Sequence, residues 1–157
     1  MQGFITAENI EDLFRSGEVP EEFDLLSIDI DRNDYYVWKG ISHYRPRVVV
    51  IEYNPIFPPT MSWVVPYDPK AMWDGTTRTG ASLKALEELG AKKGYALVGC
   101  NLSGVNAFFV RNDLLGDHFA APHTAENYYE PARYFLNHEP PPLYILNLDE
   151  RNNRRVP

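Results

Sequence analysis

The stretch SIDIDRNDYY carries three carboxylates at a spacing that could bind a metal ion or transfer protons. Asp29 and Asp31 follow an apolar run directly, and Asp34 comes three residues later. A carboxylate at the end of an apolar strand is costly unless it is paired or open to a cleft, which favours a functional role for Asp29. For Asn33 and Asp34 the sequence favours a structural role, because either residue could cap the helix that follows.

Two neighbouring strands are predicted to bring these acids to a second pair of polar side chains. Residues 23–29, FDLLSID, and residues 47–53, RVVVIEY, are predicted strands, and the segment between them is a predicted helix. Such a βαβ unit has parallel strands, and ligands of open α/β sheets bind at the carboxyl ends of the strands. Glu52 and Asn54 point to the same side of the second strand. The sequence therefore predicts one shared rim with four candidate catalytic residues: Asp29, Asp31, Glu52 and Asn54.

Two short metal-binding motifs match part of this pattern. The calcium-binding helix-loop-helix also begins D-x-D-x-N, but it needs Gly at position six and Glu at position twelve. Those positions are Asp34 and Gly40 here, which excludes this motif. In glycosyltransferases a D-x-D after an apolar strand holds a divalent ion against a diphosphate, and this remains a lesser alternative. A divalent metal held by Asp29 and Glu52 is the candidate metal site.

Residues 55–78 form a long Pro-rich segment without helix or strand periodicity. Loops of this length in compact domains are usually functional or disordered, and the aromatic residues argue against disorder. Trp63, Tyr67 and Trp73 are therefore candidate substrate-binding residues that could cover a small-molecule acceptor. The alternative is that these rings anchor the loop to the core.

The remaining periodicity predicts three helices and a strand pair around the two apolar strands. The helices are expected over residues 6–17, 33–44 and 79–94. Residues 95–100 and 106–112 are predicted strands joined by a Ser-Gly turn, which indicates an antiparallel hairpin. The expected fold class is α/β, with a mostly parallel sheet of about four strands, an antiparallel pair at its C-terminal end, and helices on both faces.

Composition and length narrow the classes of function. The 157 residues divide into an α/β domain over residues 1–116 and an extension over 117–157, partly helical and then Pro-rich. A net charge of −7 argues against a nucleic-acid partner, and no apolar run approaches the ~20 residues that span a membrane. Cys100 is the only cysteine, and its apolar neighbours predict a buried thiol. With no apolar leader after Met1, these features predict a cytoplasmic location.

The segment FDLLSIDIDRNDYYVWKGISHYRPRVVVIEYNP resembles the central part of FkbM-type, class I S-adenosylmethionine-dependent methyltransferases. The matching motifs are DLLSID at residues 24–29, Lys39-Gly40, and IEYN at residues 51–54. The later helix and strand pair resemble the closing elements of that family, so the resemblance covers about residues 5–115. It implies a partial Rossmann-like methyltransferase sheet and S-adenosylmethionine as the cofactor.

Only the C-terminal half of such an enzyme is matched. These methyltransferases bind the cofactor through a Gly-rich turn after the first strand and an acid after the second, and neither precedes residue 23. GCNLSG, residues 99–104, lies between the two late strands and is predicted to be a hairpin turn. Arg32 also stands where related sequences often carry Gly, which would alter access to the acidic turn. The cofactor-binding motif is therefore absent from this sequence.

The resemblance implies methyl transfer to an oxygen nucleophile of a small-molecule acceptor. Asp29 or Glu52 would deprotonate the acceptor hydroxyl or hold a metal that lowers its pKa. The alternative is a catalytically silent fragment that acts as a binding or assembly module. By the family's strand order the missing strands would pair beside residues 23–29, so this edge is predicted to bind a second copy or another polypeptide.

Overall fold

The computed structural model describes residues 4–133, which form one four-stranded sheet with four helices. The predicted Pro-rich tail lies outside the described residues. No helix within 4–133 is long and apolar enough to cross a membrane. The elements, in chain order, are α1 Ile10–Ser16, β1 Leu25–Ile28, α2 Asp34–Gly40, β2 Val48–Glu52, α3 Leu83–Lys93, β3 Tyr95–Cys100, β4 Asn106–Arg111 and α4 Ala125–Tyr128.

The sheet has the order β1-β2-β4-β3 and mixes parallel with antiparallel pairing. β1 and β2 are parallel, as predicted, and β3 and β4 form the predicted antiparallel pair. The hairpin returns β4 to the free side of β2, where it pairs antiparallel. The number of strands was therefore predicted correctly. The prediction of a mostly parallel sheet was wrong, because only one of the three strand pairs is parallel. β1 lies at one edge of the sheet, with Leu25 58% exposed.

Helix α3 forms where the sequence carries signals at both ends. The Ser82 hydroxyl accepts a hydrogen bond from the backbone N–H of Ala85, which caps the first turn. Gly94 ends the helix at φ 83°, a left-handed conformation that glycine adopts without strain. The predicted helix over 79–94 is therefore confirmed in type, with its first turn beginning at Leu83.

The first two helices are shorter than predicted. The Asn9 side chain accepts a hydrogen bond from the Thr6 N–H at 2.8 Å, so the chain makes a turn before α1 begins at Ile10. Helix α2 ends at Gly40, which is packed closely against the preceding segment. A Cβ atom at Gly40 would lie 2.5 Å from the carbonyl oxygen of Ala7, so this approach requires glycine.

One face of the sheet carries the hydrophobic core. In β2 the side chains of Val49 and Ile51 are fully buried, and their partners across β4, Phe109 and Ala107, are buried equally. The buried apolar residues of all four helices belong to this same cluster. Val50 points to the opposite face and is only half-buried. The prediction of helices on both faces is wrong for the four α-helices of the described part of the chain, because their buried apolar residues all belong to this one cluster.

Glu11 of α1 holds the end of α2 in place and gives the fold a dependence on pH. Its carboxylate accepts hydrogen bonds from the backbone N–H groups of Ser42 and His43 at 2.5 and 2.7 Å, and contacts the His43 ring. Partial burial opposes ionisation, but these hydrogen bonds outweigh it and lower the pKa of Glu11 to about 2.

We expect Glu11→Gln to lower the free energy of unfolding by about 1–2 kcal/mol at pH 7. Because the pKa of Glu11 is lower in the folded than in the unfolded chain, its contribution is complete above about pH 5. It is lost as the pH falls towards 2. Urea unfolding of both proteins between pH 2 and 7 measures the difference, and a gap independent of pH would contradict this role.

Candidate active site at the carboxyl ends of β1 and β2

The register of the parallel pair brings three carboxylates together. Ile28 at the end of β1 lies opposite Ile51 of β2, so the next residues, Asp29 and Glu52, lie side by side at the carboxyl ends of the two strands. Asp31 lies two residues further along the turn. One carboxylate oxygen from each of the three acids lies within 4.8 Å of the other two. The shared rim expected from the sequence is therefore present for Asp29, Asp31 and Glu52.

The turn after β1 is shaped to present Asp31. Asp31 adopts φ 66°, a left-handed conformation that is uncommon outside glycine but tolerated by aspartate. Its carbonyl oxygen accepts a hydrogen bond from the Thr79 hydroxyl at 2.9 Å, which ties the turn to the long loop before α3. The side chains of Asp29 and Asp31 are both exposed. The turn therefore holds two carboxylates in solvent at the edge of the sheet.

Asp34 begins α2, but its carboxylate does more than start the helix. The side chain is only 1% exposed, and Oδ1 accepts a hydrogen bond from the Ile30 N–H at 2.9 Å. Oδ2 has no hydrogen-bond partner among residues 4–133. Asn33 occupies the position before the helix without making a side-chain cap, and its amide donates to the Asp68 carbonyl instead. Burial raises the pKa of Asp34 to about 6, and the charge of Asp29 adds to this shift.

Glu52 has the most strongly shifted pKa among the carboxylates of the rim. Its side chain is partly buried, and burial is the largest cause that raises its pKa to about 7. The negative charges of Asp34, Asp29 and Asp31 add to this effect. None of these four carboxylates forms an ion pair with Lys, Arg or His within the described chain. The rim therefore concentrates negative charge without a protein cation to balance it.

Asn54 is buried beside the rim and positions the neighbouring loop. Its Nδ2 donates to the carbonyl oxygens of Thr77 and Thr79 at 2.7 and 2.9 Å, while Oδ1 accepts from the Ile56 N–H at 3.1 Å. Both amide protons are therefore used inside the protein. Asn54 was predicted to be catalytic, but in the structure its amide binds the backbone of the loop that lines the site.

A cavity of about 400 Å³ opens beside the acidic rim. Glu52 and Asp31 line one side of it. The indole of Trp73 lines it too, although this side chain is 56% exposed, and its Nε1–H donates to the Thr76 carbonyl at 2.8 Å. Apolar surface dominates the walls, and threonines of the loop contribute the polar part. The remaining lining residues are Tyr53, Asn54, Pro55, Ile56, Thr76, Thr77, Thr79 and Gly80.

The other two predicted substrate-binding aromatics lie away from this cavity. Trp63 stacks on Phe57 with the ring centres 4.5 Å apart. Tyr67 packs on Tyr36, and its hydroxyl donates to the carboxylate of Glu8 at 2.6 Å. These two rings therefore anchor the loop, as the alternative interpretation proposed, and only Trp73 faces the cavity.

Several residues of the site were not singled out from the sequence. The sequence assigned Asp34 to helix capping. No pattern in the sequence indicated that its carboxylate would accept a hydrogen bond from the N–H of Ile30, four residues earlier. The loop threonines carried no motif at all. Cys100 is only partly buried against the core, so the prediction of a buried thiol holds in part, and the burial that it has raises its pKa to about 12. A raised pKa keeps the thiol protonated near neutral pH.

The described residues do not fit S-adenosylmethionine as a complete site. Its amino-acid and ribose groups are usually bound by a glycine-rich turn between a strand and a helix. The turn from β1 to α2, residues 29–33, contains no glycine and carries carboxylates instead. The glycines at 99 and 104 belong to the β3–β4 hairpin and its turn. Comparison with known proteins finds no matching family model, no matching curated protein and no matching solved structure.

Proposed function

We propose that the chain forms the acceptor side of an S-adenosylmethionine-dependent O-methyltransferase. The observation that carries the proposal is the position of Asp29, Asp31 and Glu52 at the carboxyl ends of two parallel strands, directly beside a cavity of about 400 Å³. Ligands of open α/β sheets bind at this edge, and a cavity of this size suits a small molecule. The cofactor side of a Rossmann-like site would come from a polypeptide segment other than residues 4–133.

The chemistry of the walls suggests the kind of acceptor. Trp73 and Ile56 offer exposed apolar surface, and the loop threonines offer hydroxyl groups. A hydroxylated ring, such as a sugar or a phenol, can stack on the indole and direct one hydroxyl to the rim. The carboxylates would then orient that hydroxyl and withdraw its proton as the oxygen becomes the nucleophile. Activity would therefore depend on the rim more than on any other part of the described chain.

Transfer of a labelled methyl group from S-adenosylmethionine to sugar and phenol acceptors, by the chain completed with a segment that supplies the cofactor side, tests this function. We expect Asp29→Asn and Glu52→Gln each to reduce transfer by roughly 100-fold or more. Their free energies of unfolding should stay within about 1 kcal/mol of the parent protein, because Asp29 is exposed and Glu52 lies among like charges. Calorimetric titration with S-adenosylmethionine measures cofactor binding separately.

The matched control is Asp24→Asn. Asp24 immediately precedes β1, at the amino end of the strand and away from the rim, and it forms an exposed pair with Arg47, so its loss should leave transfer unchanged. Equal losses of transfer and of stability in the rim variants would contradict a catalytic role. Absence of transfer from the completed protein would favour the second candidate function.

That second candidate is an assembly module without catalysis, which the exposed edge of β1 favours. Among residues 4–133, β1 pairs with β2 alone, and Leu25 at its start is 58% exposed. An unpaired edge strand without Pro or Lys can pair with another strand, either of a second copy or of a cofactor-binding polypeptide. Sedimentation of the parent protein and of Ser27→Pro, which cannot donate to a new ladder, tests this association. A monomer at high micromolar concentration would contradict self-association.

A further inference from the structure

We infer that Asp29, Asp31 and Glu52 bind one hard divalent cation, of the class of Mg²⁺, Mn²⁺ and Ca²⁺, at the mouth of the cavity. The inference deepens the proposed function, because it specifies how the rim activates the acceptor, but cation binding does not itself require methyl transfer. One oxygen from each carboxylate already lies within 4.8 Å of the other two. Oxygen ligands at about 2.0–2.6 Å from one ion lie about 3–5 Å from each other, so this spacing suits a single cation.

Asp34 is the independent observation that points to a cation. Its side chain is 1% exposed, and its Oδ2 has no hydrogen-bond partner in the described residues. Oδ1 is bound to the N–H of Ile30, which lies between Asp29 and Asp31 in the chain. The unpartnered oxygen therefore belongs to a carboxylate enclosed within the turn that carries two of the ligands. A buried carboxylate oxygen without a hydrogen bond is unfavourable, and the positive charge of a cation among the three ligands offsets it.

The open side of the cluster leaves room for further ligands of the ion. Asp31 and Glu52 line the cavity, and the exposed carboxylate of Asp29 lies at its edge. Hard divalent cations take six to eight oxygen ligands, so water and one acceptor oxygen can complete the shell. An acceptor hydroxyl bound to the ion loses its proton more readily, which is the step that the proposed methyl transfer requires.

Terbium luminescence of the parent chain tests the site directly, with Tb³⁺ as the probe for oxygen-ligand cation sites. Trp73 shares the cavity walls with Asp31 and Glu52, so excitation of its indole should sensitise a bound Tb³⁺. We expect a saturable signal that Mg²⁺, Mn²⁺ or Ca²⁺ displaces, and the order of displacement identifies the preferred ion. Trp73→Phe should remove most of the signal, and calorimetric titration of the parent protein with Mg²⁺ measures the affinity without depending on the indole.

The ligand variants decide between a cation site and an unoccupied acidic cluster. Asp31→Asn and Glu52→Gln should each weaken binding roughly tenfold or more, whereas Asp24→Asn before β1 should not change it. Saturating Mg²⁺ should raise the midpoint of thermal unfolding of the parent protein by about 5 °C, and of Glu52→Gln by much less. Equal binding by parent, Asp31→Asn and Glu52→Gln proteins overturns the inference, as does a signal that divalent ions do not displace.

These measurements separate the cation site from the proposed reaction. Cation binding without methyl transfer by the completed protein supports the site and contradicts the methyltransferase. Methyl transfer that is undiminished by a chelator, from a chain that binds no divalent ion, supports the reaction and overturns the cation site.

Discussion

Asn54→Asp is expected to lower the free energy of unfolding by about 3–4 kcal/mol, a large effect for an isosteric substitution. The amide nitrogen of Asn54 donates to the carbonyl oxygens of Thr77 and Thr79, and the residue is only 8% exposed. An aspartate would place a negatively charged oxygen against both carbonyls and add a further charge beside Glu52. Urea unfolding at pH 7 measures the loss.

The same substitution should dismantle the cavity before it unfolds the chain. Thr79 also holds the carbonyl of Asp31, so release of the loop frees the turn that carries the rim. Acceptor or cation binding should therefore weaken under conditions in which circular dichroism still reports a folded sheet. Asn112→Asp, at an exposed position after β4, is the control and should change stability by less than about 0.5 kcal/mol. A stability of Asn54→Asp equal to that control would contradict the positioning role.

The local elements and the main part of the rim could be predicted because short-range rules determine them. Four consecutive β-branched residues specify β2, and Ser82 and Gly94 mark the ends of α3. Once β1 and β2 are parallel, their carboxyl ends must meet, so Asp29 and Glu52 are brought together whatever the rest of the chain does. Prediction from the sequence succeeded where one local pattern was sufficient to determine the structure of the segment.

Prediction failed where contacts between distant parts of the chain decide the outcome. The insertion of β4 beside β2 depends on pairing across more than fifty residues, which periodicity does not reveal. Tyr67 looked like a binding residue until its contact with Glu8, which lies 59 residues away in sequence, placed it against the N-terminal segment. Asp34 looked like a helix start, and only its burial identified it as part of the acidic centre.

Gly90→Val is expected to lower the free energy of unfolding by about 3 kcal/mol, because it overpacks the centre of the core. A Cβ atom at Gly90 would lie 2.9 Å from two ring atoms of Phe109 and 3.1 Å from the Trp38 indole. Both rings are almost completely buried, and they pack on each other with ring centres 4.8 Å apart, so neither can move aside easily. Denaturant unfolding at neutral pH measures the change.

A second substitution shows whether this contact is the cause. Phe109→Leu removes the ring that the new side chain would meet, so the double variant Gly90→Val/Phe109→Leu should be more stable than the sum of the single effects predicts, by at least about 1 kcal/mol. Gly99→Val is the control: a Cβ atom there meets nothing within 4 Å, and valine favours a strand. It should leave stability unchanged or raise it slightly. Additive single effects in the double variant would mean that α3 and β4 are not packed through Gly90.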